Sequence, residues 1–202
     1  MEIQVLDTRK KIIGEEHPDT ILAMRNLATI YSDLGKHTGA EKLEIQVLDA
    51  RKKILGEEHP GTILTMGNLA TTYSNLGKYT EAEKLKIQVL DANQKILGEE
   101  HPDTILAMGN LAFTYSDLGK YTEAEKLEIQ VLDASSKILG EEHPDSIMAI
   151  KNLVAIHAGG SCRHCREPSF QYKPWSFCDT RYGRRECGHW SSTCQQLSSG
   201  RI

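Results

Sequence analysis

The sequence predicts an all-α solenoid of stacked antiparallel helix pairs, and two observations support this. First, the hexapeptide Leu-Gly-Glu-Glu-His-Pro recurs every 42 residues, at 55–60, 97–102 and 139–144, and Ile13 opens a slightly different first copy. Second, other residues recur at the same interval, at Asn26, Asn68, Asn110, Asn152, Tyr31, Tyr73, Tyr115, Gly35, Gly77 and Gly119. A fixed period of this length is typical of helical repeats.

The first part of each unit predicts a helix, which we call helix A. In residues 62–76 the apolar side chains follow helical spacing, at Ile63, Met66, Leu69, Ala70 and Tyr73. Gly77 follows, where a helix commonly ends. Pro60 precedes the segment, and proline is tolerated at the start of a helix although it cannot extend the previous one.

The second part of each unit predicts helix B, which runs to Gly98 in the second full unit. Thr80 and Glu83 have the spacing of a capping box, so we predict that Thr80 caps helix B. The small residues Ala70 and Ala82 are expected where helices approach closely. One hairpin cannot bury its own apolar face, so neighbouring units must stack.

The repeat also predicts the domain boundaries. Residues 1–157 form the array, with a partial unit 1–14, full units 15–56, 57–98 and 99–140, and a partial unit 141–157. Both ends are expected to expose apolar stacking faces, because solenoids normally need terminal caps. We therefore interpret the array as a fragment of a longer one.

The repeated pattern resembles the tetratricopeptide repeat. Residues 68–82 and 110–124 both read Asn-Leu-Ala-x-x-Tyr-x-x-x-Gly-Lys-Tyr-x-x-Ala, and the period with its Leu-Gly-x-x-His-Pro link is similar to the kinesin light chain type. The resemblance implies a right-handed superhelix whose A helices line a concave groove. The near-identical copies also resemble the ligand-sensing arrays of fungal and microbial signalling ATPases, the NLR-like proteins.

Helix B departs from the family pattern at two positions. The usual mid-helix aromatic is replaced by Glu44, Lys86 and Glu128, and the usual later alanine by Val47, Val89 and Val131. We expect these changes to alter helix packing or the curvature of the array. The Glu/Lys-rich stretch 81–86 is interpreted as a solvated helix face.

By the same resemblance, the groove contains the residues that would contact a bound peptide. They are Arg25, Asn26, Thr29, Ser32 and Asp33, then Asn68, Thr71, Ser74 and Asn75, then Asn110, Phe113, Ser116 and Asp117, and finally Lys151 and Asn152. Most of these side chains are polar, so the predicted groove binds its ligand largely through hydrogen bonds.

The repeated asparagine is the strongest candidate for ligand contact, because its amide can donate to and accept from an extended backbone. The alternative is a bond to the neighbouring helix. Units 57–98 and 99–140 differ at seven positions, two of which are the groove pairs Thr71/Phe113 and Asn75/Asp117. Such variation fits either recognition or drift of exposed sites after duplication. Arg25 and Lys151 are candidates to select an acidic group.

Composition and charge argue against several functions. Residues 1–157 hold 17 Lys+Arg against 25 Asp+Glu, a balance of −8 that repels nucleic acid. No run of about 18 apolar residues could span a membrane, and no secretory signal opens the chain, so a cytoplasmic protein is expected. No phosphate loop or catalytic motif occurs, so we expect neither enzymatic activity nor a cofactor.

A histidine recurs at the same position of each unit, at His17, His59, His101 and His143. Successive copies are separated by about 10 Å for each helix layer, too far to share a metal bound at about 2 Å. We therefore predict structural roles in the loops and no metal site in the array.

Residues 158–202 differ from the array and hold all five cysteines, among them Cys162 and Cys165 in a CxxC motif. Three readings stay open: a shifted reading frame or splicing artefact, one tetrahedral zinc site, or a disordered tail.

The sequence as a whole predicts a scaffold that binds a protein or peptide segment in its groove, within a larger adaptor or signalling protein. The alternative is a structural spacer that associates with itself through its open ends.

Overall fold

The computed structural model describes residues 2–159, and every regular element in that range is an α-helix. The eight helices are α1 (Glu2–Ile13), α2 (Pro18–Asp33), α3 (His37–Leu55), α4 (Pro60–Asn75), α5 (Tyr79–Leu97), α6 (Pro102–Asp117), α7 (Tyr121–Leu139) and α8 (Pro144–Gly159). The three hypotheses for the Cys-rich tail concern residues 158–202, of which only residues 158 and 159, at the end of α8, lie in the described range.

The helices pack in chain order, each mainly against the one before and the one after it. The helices α2, α4, α6 and α8 are A helices, and α1, α3, α5 and α7 are B helices. This confirms the predicted all-α solenoid.

Each A helix begins with the Pro that follows the repeated histidine. His59 has extended backbone angles, and its Nδ1 accepts a hydrogen bond from the backbone N–H of Gly61 at 3.0 Å. The same bond forms at His17, His101 and His143, at 3.1 to 3.2 Å. An N-cap acceptor satisfies a backbone N–H that has no partner within the helix. The prediction of structural loop roles for these histidines is confirmed.

The A helices α2, α4 and α6 each end in a Schellman motif built on glycine. In α4, the backbone N–H of Lys78 donates to the carbonyl of Tyr73 at 2.8 Å, and that of Gly77 donates to Ser74 at 3.0 Å. Gly77 has φ +73°, a left-handed conformation that only glycine adopts cheaply. The recurring glycine therefore ends helix A and reverses the chain into helix B.

The predicted capping box at Thr80 is wrong. Helix α5 already begins at Tyr79, its N-cap position is Lys78, and no side chain caps it. The Schellman turn delivers the chain directly into helical geometry, so Thr80 lies inside the first turn. Glu83 pairs instead with Lys120 of the next unit at 2.5 Å.

The core runs between the helices as three buried clusters. One holds Leu6, Ile21, Met24, Leu27, Val47 and Ala50, a second Leu48, Ile63, Met66 and Leu69, and a third Leu90, Ala107, Met108, Leu111, Val131 and Ala149. Ala70 and Ala82 are fully buried, as expected for positions where helices approach closely. No helix among residues 2–159 is both long enough and apolar enough to cross a membrane.

Candidate functional site

The exposed side of the A helices forms one continuous surface, which we call the A-helix face. Exposed apolar side chains recur along it at Leu22, Leu64, Leu106 and Met148. One helical turn further on, at i+4, each helix places an exposed asparagine, at Asn26, Asn68, Asn110 and Asn152. The face therefore presents an apolar row beside a row of carboxamides.

A depression of about 480 Å³ lies on this face between α2 and α4. It is lined by Arg25, Asn26, Thr29, Ile30, Leu64 and Asn68. Four of these, Arg25, Asn26, Thr29 and Asn68, belong to the predicted groove, so the fold brings residues from two units together. Ile30 and Leu64 make part of the wall apolar.

Arg25 supplies the positive charge of the depression. Within residues 2–159 its guanidinium forms no ion pair or side-chain hydrogen bond. The neighbouring Arg51 is different, because its Nη1 donates to the carbonyl of Gly61 and to Thr65 Oγ1 at 2.5 and 2.8 Å. Burial lowers the pKa of Arg51, and repulsion from Arg25 lowers it further.

The asparagine row divides into two kinds. In the described part of the chain, the side-chain amides of Asn26, Asn68 and Asn110 have no hydrogen-bond partner and are exposed. Asn152 instead donates from Nδ2 to Glu128 Oε1 at 2.7 Å. For Asn152, the alternative of a bond to the neighbouring helix is the one observed.

The other predicted residues vary in how far they face outward. Asp33, Thr71, Asn75 and Lys151 are exposed, whereas Ser32, Ser74, Ser116 and Asp117 are half-buried. The hydroxyl of Ser74 donates to the carbonyl of Ala70 at 3.1 Å, and it also accepts from Lys86 Nζ at 3.4 Å. Ser74 therefore bonds within the protein and contributes less to the open surface than the exposed asparagines do.

Phe113 is the largest exposed side chain on the A-helix face. It is 61% exposed, and the equivalent residues of the other units are Thr29 and Thr71. Both threonine hydroxyls donate to carbonyls of their own helices, those of Arg25 and Gly67, at 3.1 and 3.0 Å. Phe113 therefore makes the surface of α6 more apolar than the corresponding surfaces of α2 and α4.

Three charged side chains lie buried between units, Glu44, Lys86 and Glu128. The sequence marked them as departures from the family pattern but did not predict their burial. The interpretation of 81–86 as a solvated helix face is wrong for Lys86, which is only 9% exposed. Helix B turns this position toward the next A helix, where Lys86 Nζ donates to Thr114 Oγ1 at 2.6 Å. The family's aromatic at this position was the available signal, because an aromatic there implies an interior site.

Burial shifts the titration of all three groups toward the neutral form. Burial raises the pKa of Glu44, and the interaction with the Thr72 hydroxyl partly offsets this rise. Likewise, it raises the pKa of Glu128, and the bond from Asn152 opposes that rise. Burial lowers the pKa of Lys86, and the negative charge of Asp117 opposes it.

No cluster of three or more His, Cys, Asp or Glu side chains suited to a metal occurs in residues 2–159.

Comparison with known proteins identifies the repeat. Two profiles of the tetratricopeptide repeat family match residues 20–61 and 62–137. The chain is also similar to a Podosopora anserina protein described as kinesin light chain-like with nearly identical TPR-like repeats. That protein is seen in two structures, at 30% identity and a TM-score of 0.72, with 81% of this chain and 77% of the other covered.

The fold alone is shared with BtubC (BKLC) from P. vanneervenii, at 21% identity and a TM-score of 0.67, with 79% of this chain and 63% of the other covered. A comparison with curated proteins gave no match. Tetratricopeptide repeats generally mediate protein–protein interaction. By its repeats and its structural neighbours, the chain belongs to the tetratricopeptide repeat family, with repeats of the kinesin light chain type.

Proposed function

We propose that the A-helix face binds an extended segment of a partner protein, as the recognition part of a cytoplasmic adaptor or signalling protein. The observation that supports this best is the depression between α2 and α4. There, an unpaired guanidinium and two asparagine amides surround apolar side chains from both helices. Convergent polar groups in a partly apolar concavity are typical of a binding site.

Each part of the face has a role in this proposal. The amides of Asn26, Asn68 and Asn110 bind the backbone of the segment, because each offers a donor and an acceptor. Side chains of the segment pack on the apolar row of Leu22, Leu64, Leu106 and Met148 and on Phe113. Arg25 binds an acidic group at the α2 end, since Gly67 and Gly109 occupy the equivalent positions of α4 and α6.

The binding test uses the full chain and random 12-residue peptides displayed on phage. Peptides selected on the wild-type protein are measured by fluorescence anisotropy against Asn68→Ala/Asn110→Ala. We expect a dissociation constant about tenfold weaker for this variant, from two lost hydrogen-bonding groups. The fold of each variant is checked by circular dichroism.

The matched control is Gln88→Ala/Gln130→Ala, which removes two exposed carboxamides from the B helices α5 and α7. We expect this control to bind like the wild type. Equal affinity of all three proteins would contradict the proposal and place the site elsewhere on the array.

The alternative, self-association through the ends of the array, is favoured by the exposed side chains of Ile147 and Ile150 on α8. It has its own readout, because mass measured by light scattering must then rise with protein concentration. Ile147→Gln/Ile150→Gln would lower that mass without changing peptide affinity.

A further inference from the structure

Most of the differences between the two most similar units lie where one unit meets the next. We call the contact between helix B of one unit and helix A of the next a unit boundary, namely α3/α4, α5/α6 and α7/α8. At five of the seven positions that differ between residues 57–98 and 99–140, at least one of the two residues interacts across such a boundary: Gly61/Asp103, Thr65/Ala107, Asn75/Asp117, Lys86/Glu128 and Asn93/Ser135. The other two pairs are Thr71/Phe113 and Gln94/Ser136.

The α3/α4 boundary is joined by Glu44 and Arg51 of α3. Glu44 is buried against Thr72 of α4, and its Oε2 has no hydrogen-bond partner among the described residues. Arg51 donates to the carbonyl of Gly61 at 2.5 Å and to Thr65 Oγ1 at 2.8 Å. Thr65 occurs only in this unit, because the other units have alanine at the equivalent position.

The α5/α6 boundary uses different chemistry at the same positions. Lys86 stands where α3 has Glu44, and it donates to Thr114 Oγ1, to the carbonyl of Asn110 and to Ser74 Oγ, at 2.6, 3.1 and 3.4 Å. The carboxylate of Asp117 lies close enough to act on the charge of Lys86.

About two helical turns after Lys86, α5 carries Asn93 at the position equivalent to Arg51 of α3. Asn93 Nδ2 donates to the carbonyl of Asp103 at 3.2 Å. Ala107 replaces Thr65 here, so the hydroxyl that accepts from Arg51 at α3/α4 is absent where the arginine is absent.

At the α7/α8 boundary the equivalent residue is again a glutamate, Glu128, but its partner differs from those at the other two boundaries. Glu128 accepts from Asn152 Nδ2 at 2.7 Å. Ile156 stands where the other two boundaries have Thr72 and Thr114, so no hydroxyl is offered at that point. The three boundaries therefore place Glu, Lys and Glu against three different sets of partners.

These sets are not interchangeable. A carboxylate at position 86 would lie near the negative charge of Asp117, which repels it. At α3/α4 the residue equivalent to Asp117 is the neutral Asn75, which leaves Glu44 without that repulsion. A buried charge deprived of its partners strongly destabilises proteins in general, by enough to select one pairing over another.

We propose that the polar residues buried at the unit boundaries form a pairing code, which makes each helix B fit the A helix that follows it better than the A helices of the other near-identical units. The apolar core is almost the same at α3/α4 and α5/α6, so it cannot distinguish these two boundaries. The code fixes the order in which units stack and disfavours exchange of units within and between chains.

The test is a double-mutant cycle in the full chain, read by equilibrium unfolding in urea. Lys86→Glu alone should raise the unfolding equilibrium constant more than about tenfold. Asp117→Asn alone should raise it about two- to fivefold. In the double variant, which recreates the Glu44 and Asn75 combination, the combined effect should be at least about threefold smaller than the product of the two.

A reciprocal cycle covers the case in which Lys86→Glu fails to fold. Glu44→Lys should destabilise the α3/α4 boundary, and adding Asn75→Asp should relieve part of that loss. Thr72 and the carbonyl of Asn68 already stand where Lys86 finds Thr114 and the carbonyl of Asn110, so a lysine there has the same acceptors.

The control pairs Lys86→Glu with Asp33→Asn, the equivalent of Asp117 in the first unit. Asp33 lies in a different A helix, so these two effects should multiply. Effects that multiply in both test cycles would overturn the pairing code, as would equal relief by Asp33→Asn and Asp117→Asn.

Discussion

Asn152 of α8 donates a hydrogen bond of 2.7 Å to Glu128 of α7, and Glu128 is 2% exposed. The bond joins a residue of the A-helix face to a buried carboxyl group one unit earlier. Asn152 thereby binds a carboxyl group that is almost inaccessible to water, and this group links the stability of the boundary to pH.

The first prediction concerns Glu128→Gln. Burial raises the pKa of Glu128 in the folded state above its ordinary value of 4.5. The folded protein then binds more protons than the unfolded chain, so Glu128 lowers stability as pH rises from about 4.5 through the raised pKa. A glutamine stays neutral and can still accept from Asn152. We expect the free energy of unfolding to rise by about 1 kcal/mol at pH 7 and to change little near pH 3.

Urea unfolding at both pH values measures this difference. Glu123→Gln, at an exposed position of the same helix, is the control and should show little change at either pH. An equal gain for Glu128→Gln at pH 7 and pH 3 would show that burial of the charge is not its cause.

The second prediction concerns the N-cap of α6. His101→Ala removes the acceptor for the backbone N–H of Asp103, and the free energy of unfolding should fall by about 1 kcal/mol. His101→Asn offers a side-chain oxygen for the same bond and should retain most of the stability. Thermal and urea unfolding measure both variants. Equal losses in the two would indicate that the ring matters through packing rather than through Nδ1.

The third prediction compares two glycines of the second unit. Gly67 lies inside α4, and a Cβ added there meets nothing within 4 Å, so Gly67→Ala should stabilise the protein by about 0.5–1 kcal/mol. Gly77 has φ +73°, so Gly77→Ala should destabilise it by about 1–2 kcal/mol. Urea unfolding gives both values. Opposite signs are required, since both changes add the same methyl group.

The fourth prediction rests on the proposed function and concerns Phe113→Thr, which gives α6 the residue that α2 and α4 carry. Phe113 is 61% exposed, so stability should change by no more than about 0.5 kcal/mol. Affinity for peptides selected on the wild type should fall at least about fivefold, because their apolar side chains lose a surface on which to pack.

Fluorescence anisotropy measures this loss of affinity. Ile129→Thr on α7 removes a comparable exposed apolar side chain from a B helix, and it should leave affinity unchanged. Similar losses in both variants would argue for nonspecific apolar adhesion.

The sequence predicted the solenoid because its signals are local and recur in phase. The prolines, the glycines and the apolar spacing act within a single helix or turn, and each signal appears several times. Thr80 shows the limit of this reasoning. Its spacing to Glu83 fits a capping box, but the Schellman turn at Gly77 places the start of the helix two residues earlier than that box requires.

The candidate site could be predicted only in part. Asn26, Thr29, Asn68 and Arg25 lie together as expected, because equivalent positions of adjacent A helices are neighbours in a stack. The bond between Asn152 and Glu128 could not be predicted, since it depends on which way helix B is turned toward the next unit. The burial of Lys86 had one signal in the sequence, the aromatic that the family carries at this position. A lysine in a charged stretch reads as solvated unless that rotation is known.

The contacts of the array join segments that are close in the chain, and this has a consequence for how the protein folds. Each of the three core clusters draws on two to four consecutive helices, so no cluster has to wait for distant parts of the chain to meet. Chains with such local contacts fold rapidly, and repeat arrays can nucleate at more than one unit. The weakest boundary then decides where the array opens first, so a single destabilised boundary is expected to split one cooperative unfolding transition into two.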